Sequence, residues 1–210
     1  MSDLTGSDGT RKRRRRSDAE RSVAAILDAA GRILSQNPHA SLEDVANAAG
    51  LTRQTVYAHF PTRGALIGTL TDRATSRVTA ALKAADLDKS PAGEALLRLV
   101  QISWEVFDAE PFLLTTASQP TDPDHEQRRH QPVFDMLEKL VSRGQRDGDF
   151  DPDLPATWII SATTALGHAT GEEVRAGRMT STQAATLLRH ALERLFTTPN
   201  SHAARRGRPA

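Results

Sequence analysis

Apolar residues recur along most of the chain at intervals of three and four, the repeat of one helical face. The first such stripe is Val23, Ile26, Leu27, Ala30, Ile33 and Leu34. Ser17-Asp18-Ala19-Glu20 ahead of it fits a capping box, so the pattern predicts a helix from about Asp18 that ends at Asn37-Pro38. Two short amphipathic stretches follow. Ser41-Leu42-Glu43-Asp44 opens one with Leu42, Val45, Ala46 and Ala49 inward, and Gly50 supplies a turn. Thr52 caps the other, which carries Val56 and Phe60 inward and leaves Arg53, Gln54, Thr55, Tyr57 and His59 largely outward. Two short helices joined by a glycine turn form a helix-turn-helix, and the small Ala46 and Ala49 let its arms approach closely.

Beyond Pro61 and a cap at Thr62, a long fourth helix is predicted to about Ala85, marked by Leu66, Ile67, Leu70, Ala74, Val78, Ala81 and Leu82. A polar loop leads to Ser90-Pro91, which reads as an N-cap with proline in the first turn. The next stripe is Leu96, Leu97, Val100, Trp104 and Phe107, stopping at Glu110-Pro111. A short piece from Phe112 to Ser118 and a proline-marked loop precede a helix over about 124–147, where Pro132 is either a kink or the true start. Two more helices follow. One carries Trp158, Ile159, Ala162, Ala165, Leu166 and Ala169; the other, capped near Ser181, carries Ala185, Leu188, Leu192, Leu195 and Phe196. No alternating strand pattern occurs, so the predicted fold is all-α with about nine helices.

Charge changes this picture more than composition does. The 210 residues hold 27 Lys plus Arg against 26 Asp plus Glu, yet residues 11–77 carry 12 basic and 6 acidic side chains. From residue 78 onward the count is 15 basic against 18 acidic. A basic front attracts a polyanion, and the acidic rear does not. The densest run, Arg11, Lys12, Arg13, Arg14, Arg15 and Arg16, follows a polar lead and is expected to be disordered when free. Its place beside a basic helical module points to an arm on DNA, where each neutralised phosphate releases counterions and arginines can enter the minor groove. Cys is absent, which removes disulfides, thiolate metal sites and cysteine redox sensing. No apolar run reaches membrane-spanning length, so a cytoplasmic protein without a membrane partner is expected. His125 and His130 are five apart and share no helix face, which argues against a metal site. Glu172-Glu173 lacks a partner acid or base, and no glycine-rich phosphate loop is present. Nothing points to an enzyme or to a cofactor.

The run Val45-Ala46-x-x-Ala49-Gly50-Leu51-Thr52-x-x-Thr55-Val56-Tyr57-x-His59-Phe60-x-x-Arg63-x-x-Leu66 resembles the DNA-binding signature of TetR-family transcriptional repressors. The match spans about residues 22–70. The family has Lys where Arg63 stands and an acidic residue where Gly64 stands. The residue chemistry agrees with the resemblance: Arg53 suits guanine, Gln54 adenine, and Thr55 either a base or a phosphate. The resemblance implies that Tyr57 and His59 donate to phosphates and that Arg63 keeps the phosphate contact of the family's lysine. Arg63 and the cap at Ser41 lie where two helix N-termini would meet the DNA backbone.

The resemblance further implies a rear ligand pocket and a homodimer built from the last two helices. Leu188, Leu192 and Leu195, with the small Ala162, Ala165 and Ala169, fit such a seam, although a core within one chain would look similar. Two modules related by a dyad can read a palindromic operator. The large apolar candidates for the pocket are Trp104, Phe107, Phe112, Phe134, Met136 and Trp158, with Gln101, Arg128, His168 and Glu172 as polar anchors. These readings divide the chain into a basic arm (1–16), a helix-turn-helix domain (17–70), a ligand-binding and dimerisation domain (71–197) and a loose tail (198–210). The expected function is that of a homodimeric repressor released from double-stranded DNA by a small-molecule effector, with the fourth helix as the lever. The alternative is a ligand-independent or activating regulator whose rear half only dimerises.

Overall fold

The computed structural model describes residues 6–110, 112 and 123–196. Among them lie eight α-helices and one 3-10 turn, with no strand: α1 (Gly6–Gln36), α2 (Leu42–Ala49), α3 (Arg53–His59), α4 (Arg63–Ala84), the 3-10 turn (Leu87–Lys89), α5 (Ala92–Ala109), α6 (Pro123–Asp147), α7 (Ala156–Arg175) and α8 (Ser181–Phe196). The all-α class read from the periodicity is therefore the observed one. The chain divides between Thr71 and Asp72 into two compact units, and the residues of α4 fall in both. Residues 1–5 and 198–210, and all of the piece expected at 112–118 except Phe112, lie outside the described residues.

The first unit buries Ile26, Leu27, Ala30 and Leu34 of α1 with Leu42, Val45 and Ala46 of α2, Val56 and Phe60 of the α3 segment, and Leu66, Ile67 and Leu70 of α4. These are the stripes that the three-four spacing marked. The start of α1 differs from expectation. No cap forms at Ser17, and the helix continues back to Gly6, so residues 6–16 are helical rather than disordered. Arginine is a good helix former, and adding a turn to an existing helix avoids the cost of nucleation. Arg16 also reaches Glu20 one turn on, at 3.4 Å, and Arg21 binds Asp18. The side chains of Arg13, Arg14, Arg15 and Arg16 are exposed.

The second unit packs α5 against α6 and α8, α6 against α7, and α7 against α8. Its core includes Val78 and Leu82 of α4, Leu96, Leu99 and Ile102 of α5, Leu137, Leu140 and Val141 of α6, Ile159 of α7, and Leu188, Leu192 and Phe196 of α8. Pro132 sits inside α6 on its exposed side and does not mark its start.

One helix start is capped by a group other than the one the local sequence suggested, and another is capped close to where it was expected. Ser90 does not cap α5; the Asp149 carboxylate accepts the Ala92 N–H at 2.7 Å and the Gly93 N–H at 3.4 Å from 57 and 56 residues away. At α8, expected to be capped near Ser181, the cap is the adjacent Thr180. Its hydroxyl accepts the Gln183 N–H at 3.2 Å while the Gln183 side-chain oxygen accepts the Thr180 N–H at 2.9 Å, a reciprocal capping box.

The turn carrying Asp149 is held by close approach at Gly144. The Gly144 carbonyl accepts N–H bonds from Asp149 at 2.8 Å and Phe150 at 3.1 Å. A Cβ on Gly144 would fall 2.3 Å from the Phe150 ring and 2.8 Å from the Ala92 Cβ. Gly144→Ala should therefore destabilise the protein by about 2 kcal/mol, as overpacking of a rigid site does, read as a lowered midpoint in urea. A midpoint equal to that of the parent would show that the α6–α7 turn adjusts freely.

Candidate nucleic-acid interface

The helix-turn-helix is fixed by local bonds that its sequence spells out. The Ser41 hydroxyl accepts the Asp44 N–H at 3.1 Å and the Asp44 carboxylate accepts the Ser41 N–H at 2.8 Å, which closes a capping box at α2. Those bonds from Ser41 hold the exposed Asp44 carboxyl below the ordinary carboxylate range. At the other end of α2, Gly50 adopts φ +66°, and the Gly50 and Leu51 N–H groups return to the carbonyls of Asn47 and Ala46. This is the double bond pattern of a Schellman turn, and it needs the left-handed conformation that glycine adopts without penalty. Thr52 caps α3 through the Thr55 N–H at 3.2 Å, and Thr62 caps α4 through the Ala65 N–H at 3.1 Å.

With Val56 and Phe60 buried, the exposed face of α3 consists of Arg53, Gln54, Tyr57 and Ala58. Positions i, i+1, i+4 and i+5 lie side by side on a helix, so three large polar side chains share one surface. Thr55 and His59 flank it half-buried, and Thr52 is exposed with its hydroxyl 2.8 Å from that of Thr55. Arg53 is already engaged. Its guanidinium donates to Glu43 on α2 at 3.3 Å and lies 5.2 Å from the centre of the Tyr57 ring.

Arg63 is also engaged. Expected on a phosphate, it is half-buried and donates from Nε to the Ala40 carbonyl at 3.0 Å and from Nη2 to the Pro38 carbonyl. The first residue of α4 thereby holds the connection between α1 and α2. The sequence motif carried no signal for this, because the acceptors are backbone groups 23 and 25 residues away.

The ten candidate ligand residues of the rear unit differ in exposure and in partners. Trp104 donates from Nε1 to the Ser181 hydroxyl at 2.9 Å, which joins α5 to the start of α8. Phe112 is fully buried, and Phe107 is half-buried. Phe134 is half-buried with the His130 ring at its edge. Trp158 is 47% exposed and meets Phe196 edge-on. Arg128 and His168 are exposed, as is Glu172, whose carboxyl the Arg175 guanidinium holds below its ordinary range. Met136 is half-buried and Gln101 exposed. An open groove of about 410 Å³ lies between α4 and α5, lined by Arg77, Ala81 and Ala85 on one side and Arg98, Ile102 and Val106 on the other. Sequence reasoning missed it because its nine lining residues, four of them alanine, come from two helices and share no motif. At its edge Arg77 donates to the buried Glu110 at 2.5 Å.

The dimer candidates separate by register. Leu188 and Leu192 are buried in the core of their own unit, whereas Leu187 and Leu195 are 48% and 46% exposed. A helix rotates by about 100° per residue, so Leu187, Ala191 and Leu195 share one face and Leu188 and Leu192 another. On α7, Ala165 and Ala169 are exposed and Ala162 is half-buried. No cluster of metal-ligating side chains occurs among the described residues, and no described helix is long and apolar enough to cross a membrane.

Comparison with known proteins agrees with this geometry. Residues 26–70 match the family model described as bacterial regulatory proteins, tetR family. The HTH-type transcriptional repressor LfrR of Mycolicibacterium smegmatis is 32% identical over 159 residues, 75% of this chain and 82% of that protein. The HTH-type transcriptional regulator NfxB of Pseudomonas aeruginosa is 28% identical over 194 residues, 89% of this chain and 96% of that protein. Among solved structures, the TetR-like regulator LfrR from Mycobacterium smegmatis in complex with proflavine superposes with a TM-score of 0.63 at 28% identity, covering 82% of this chain and 95% of that one. The regulator FadR from Bacillus subtilis in complex with stearoyl-CoA, 14% identical with a TM-score of 0.68 over 80% of this chain and 96% of that one, shares the fold.

The Arg63 contacts generate a test of what the guanidinium does. A lysine carries one ammonium and cannot bridge two carbonyls in a planar fork. Arg63→Lys should therefore cost about 1 kcal/mol of stability in urea denaturation, a modest hydrogen-bond loss. An unchanged midpoint would mean that the two carbonyl bonds contribute nothing beyond what water provides.

Proposed function

The chain belongs to the TetR family of bacterial transcriptional regulators, and from that membership we propose that it is a homodimeric repressor that binds a palindromic operator and is released by a small molecule. The observation that carries this reading is the exposed face of α3, where Arg53, Gln54 and Tyr57 stand together on a short capped helix. Arg53 and Gln54 read base edges in the major groove, and Tyr57, His59, Thr52 and Thr55 contact the backbone. Ser41 and Arg63 hold the ends of α2 and α4 in place at that backbone. Exposed Arg13, Arg14, Arg15 and Arg16 extend the basic surface along α1 and supply nonspecific attraction.

The repressing role follows the mycobacterial relative, which is a repressor, and its complex with proflavine supports a small-molecule effector here. The groove between α4 and α5 is the seat we assign to that effector, since three of its lining residues belong to α4 and a fourth, Ala85, follows it directly. Arg129 of α6 donates to Asp72 of α4 at 2.7 Å with its own side chain 4% exposed, and His125 lies 3.4 Å from the same carboxylate. A ligand that shifts α4 or α6 would therefore act on the two together. Release is then a population shift toward an α4 position in which the paired α3 helices no longer fit successive grooves.

Two outcomes are expected. Arg53→Ala should relax preference at one base position by about 1–3 kcal/mol, whereas Tyr57→Phe should weaken binding evenly across sequences, both read by anisotropy on a duplex library. If Arg53→Ala weakened all duplexes equally, Arg53 would not be a base reader. Leu187→Glu with Leu195→Glu should convert the dimer to monomer in sedimentation equilibrium, because charges buried in an apolar seam are left unpaired. A dimer of undiminished affinity would place the interface elsewhere.

A further inference from the structure

Glu43 reaches Arg53 on the recognition face from α2 at 3.3 Å across the helix-turn-helix corner. Both side chains are more than half exposed, so solvent screens the pair and the bond is weak. Arg53 also lies over the Tyr57 ring at 5.2 Å, which orients the guanidinium along α3. In this state the charge of Arg53 is already balanced before any DNA arrives.

We propose that Glu43 is a specificity-determining residue that acts through Arg53, as an internal competitor for its guanidinium. This rests on the reading of the chain as a DNA-binding regulator. A single phosphate offers Arg53 about what Glu43 already offers, one anionic oxygen partner in water. The paired N7 and O6 of guanine offer a bidentate contact that a phosphate on random DNA does not match in register. The carboxylate therefore suppresses binding of Arg53 to arbitrary phosphates and yields to the correct base. It sharpens discrimination by weakening the wrong complexes more than the right one, which is how a repulsive or competing group contributes to specificity. Glu43 has one other physical role in view, the favourable place of an acidic side chain in the first turn of α2. That role concerns folding and is independent of Arg53.

The test uses the full chain, a duplex selected by the wild-type protein from a random pool, and a scrambled duplex of the same composition. Glu43→Gln should tighten binding to the scrambled duplex about fivefold near 0.1 M salt and steepen its log–log salt slope by about one for each subunit, with a smaller change on the selected duplex. Glu43→Asp keeps the charge and the helix-start role but shortens the reach, so it should behave like Gln. In an Arg53→Ala background neither substitution should change binding to either duplex. Matched melting curves for all variants separate these effects from folding. The proposal is overturned if Glu43→Gln tightens both duplexes equally, if Glu43→Asp matches wild type, or if the effect persists without Arg53. Wild-type protein that selects no duplex and binds none with salt dependence would instead sink the regulator reading, and this inference with it.

Discussion

A seven-residue helix cannot hold itself together in water, and the presentation of Arg53, Gln54 and Tyr57 depends on α3 being such a helix. Nucleation costs more than two turns of hydrogen bonds return, so its stability must come from what surrounds it. The structure provides three supports. Val56 and Phe60 bury its inner face, Thr52 satisfies its first N–H groups, and the left-handed Gly50 turn fixes its entry from α2. Because α2 has only eight residues and the same problem, the capping box at Ser41 bears on the reading head as much as any residue on α3 does.

The polar groups of this head are not idle before DNA arrives. Arg53 is drawn to Glu43 and Tyr57, Thr55 to Thr52, and Arg63 to the Pro38 and Ala40 carbonyls. Such contacts limit the rotamers that would otherwise have to be frozen on binding, which lowers the entropic cost of docking. They also sort the residues by task. A guanidinium held by two carbonyls, one of them half-buried Pro38, is set for positioning, while an exposed one in a screened ion pair can exchange partners.

What was legible in the sequence was what is local. The caps at Ser41, Thr52 and Thr62, the glycine turn and the buried stripes of α1 to α4 all depend on residues within about five positions of one another, and each was read correctly. The local reading failed at Ser17, where α1 runs on to Gly6 and no cap forms, and elsewhere errors arose where distant residues compete with neighbours. Ser90 has the pattern of a cap for α5, but Asp149 instead accepts the N–H of Ala92, 57 residues before it. Leu188 and Leu192 carry the spacing of a dimer seam, but the same spacing serves a core within one chain, and only packing against α5 and α7 decides which face turns inward. Large side chains such as Trp104 stand out in a sequence, whereas the groove between α4 and α5 is lined from two helices, with four alanines among its nine residues, and no spacing within either helix marks it.

That distinction bears on how α4 could carry a signal. No Gly or Pro interrupts residues 69–84, so this stretch has no ready hinge. It does contain Thr69, Thr71 and Thr79, whose hydroxyls each bond the carbonyl four residues earlier, an arrangement that favours curvature over a break. Four residues lining the groove, from Arg77 to Ala85, belong to the far end of this segment or follow it directly, and Arg129 donates to Asp72 near its start. Under the proposed reading, a ligand in this groove would change the bend of α4 more readily than it would snap the helix. A bend costs little per residue, which suits a switch whose coupling energy need be only about 1–3 kcal/mol.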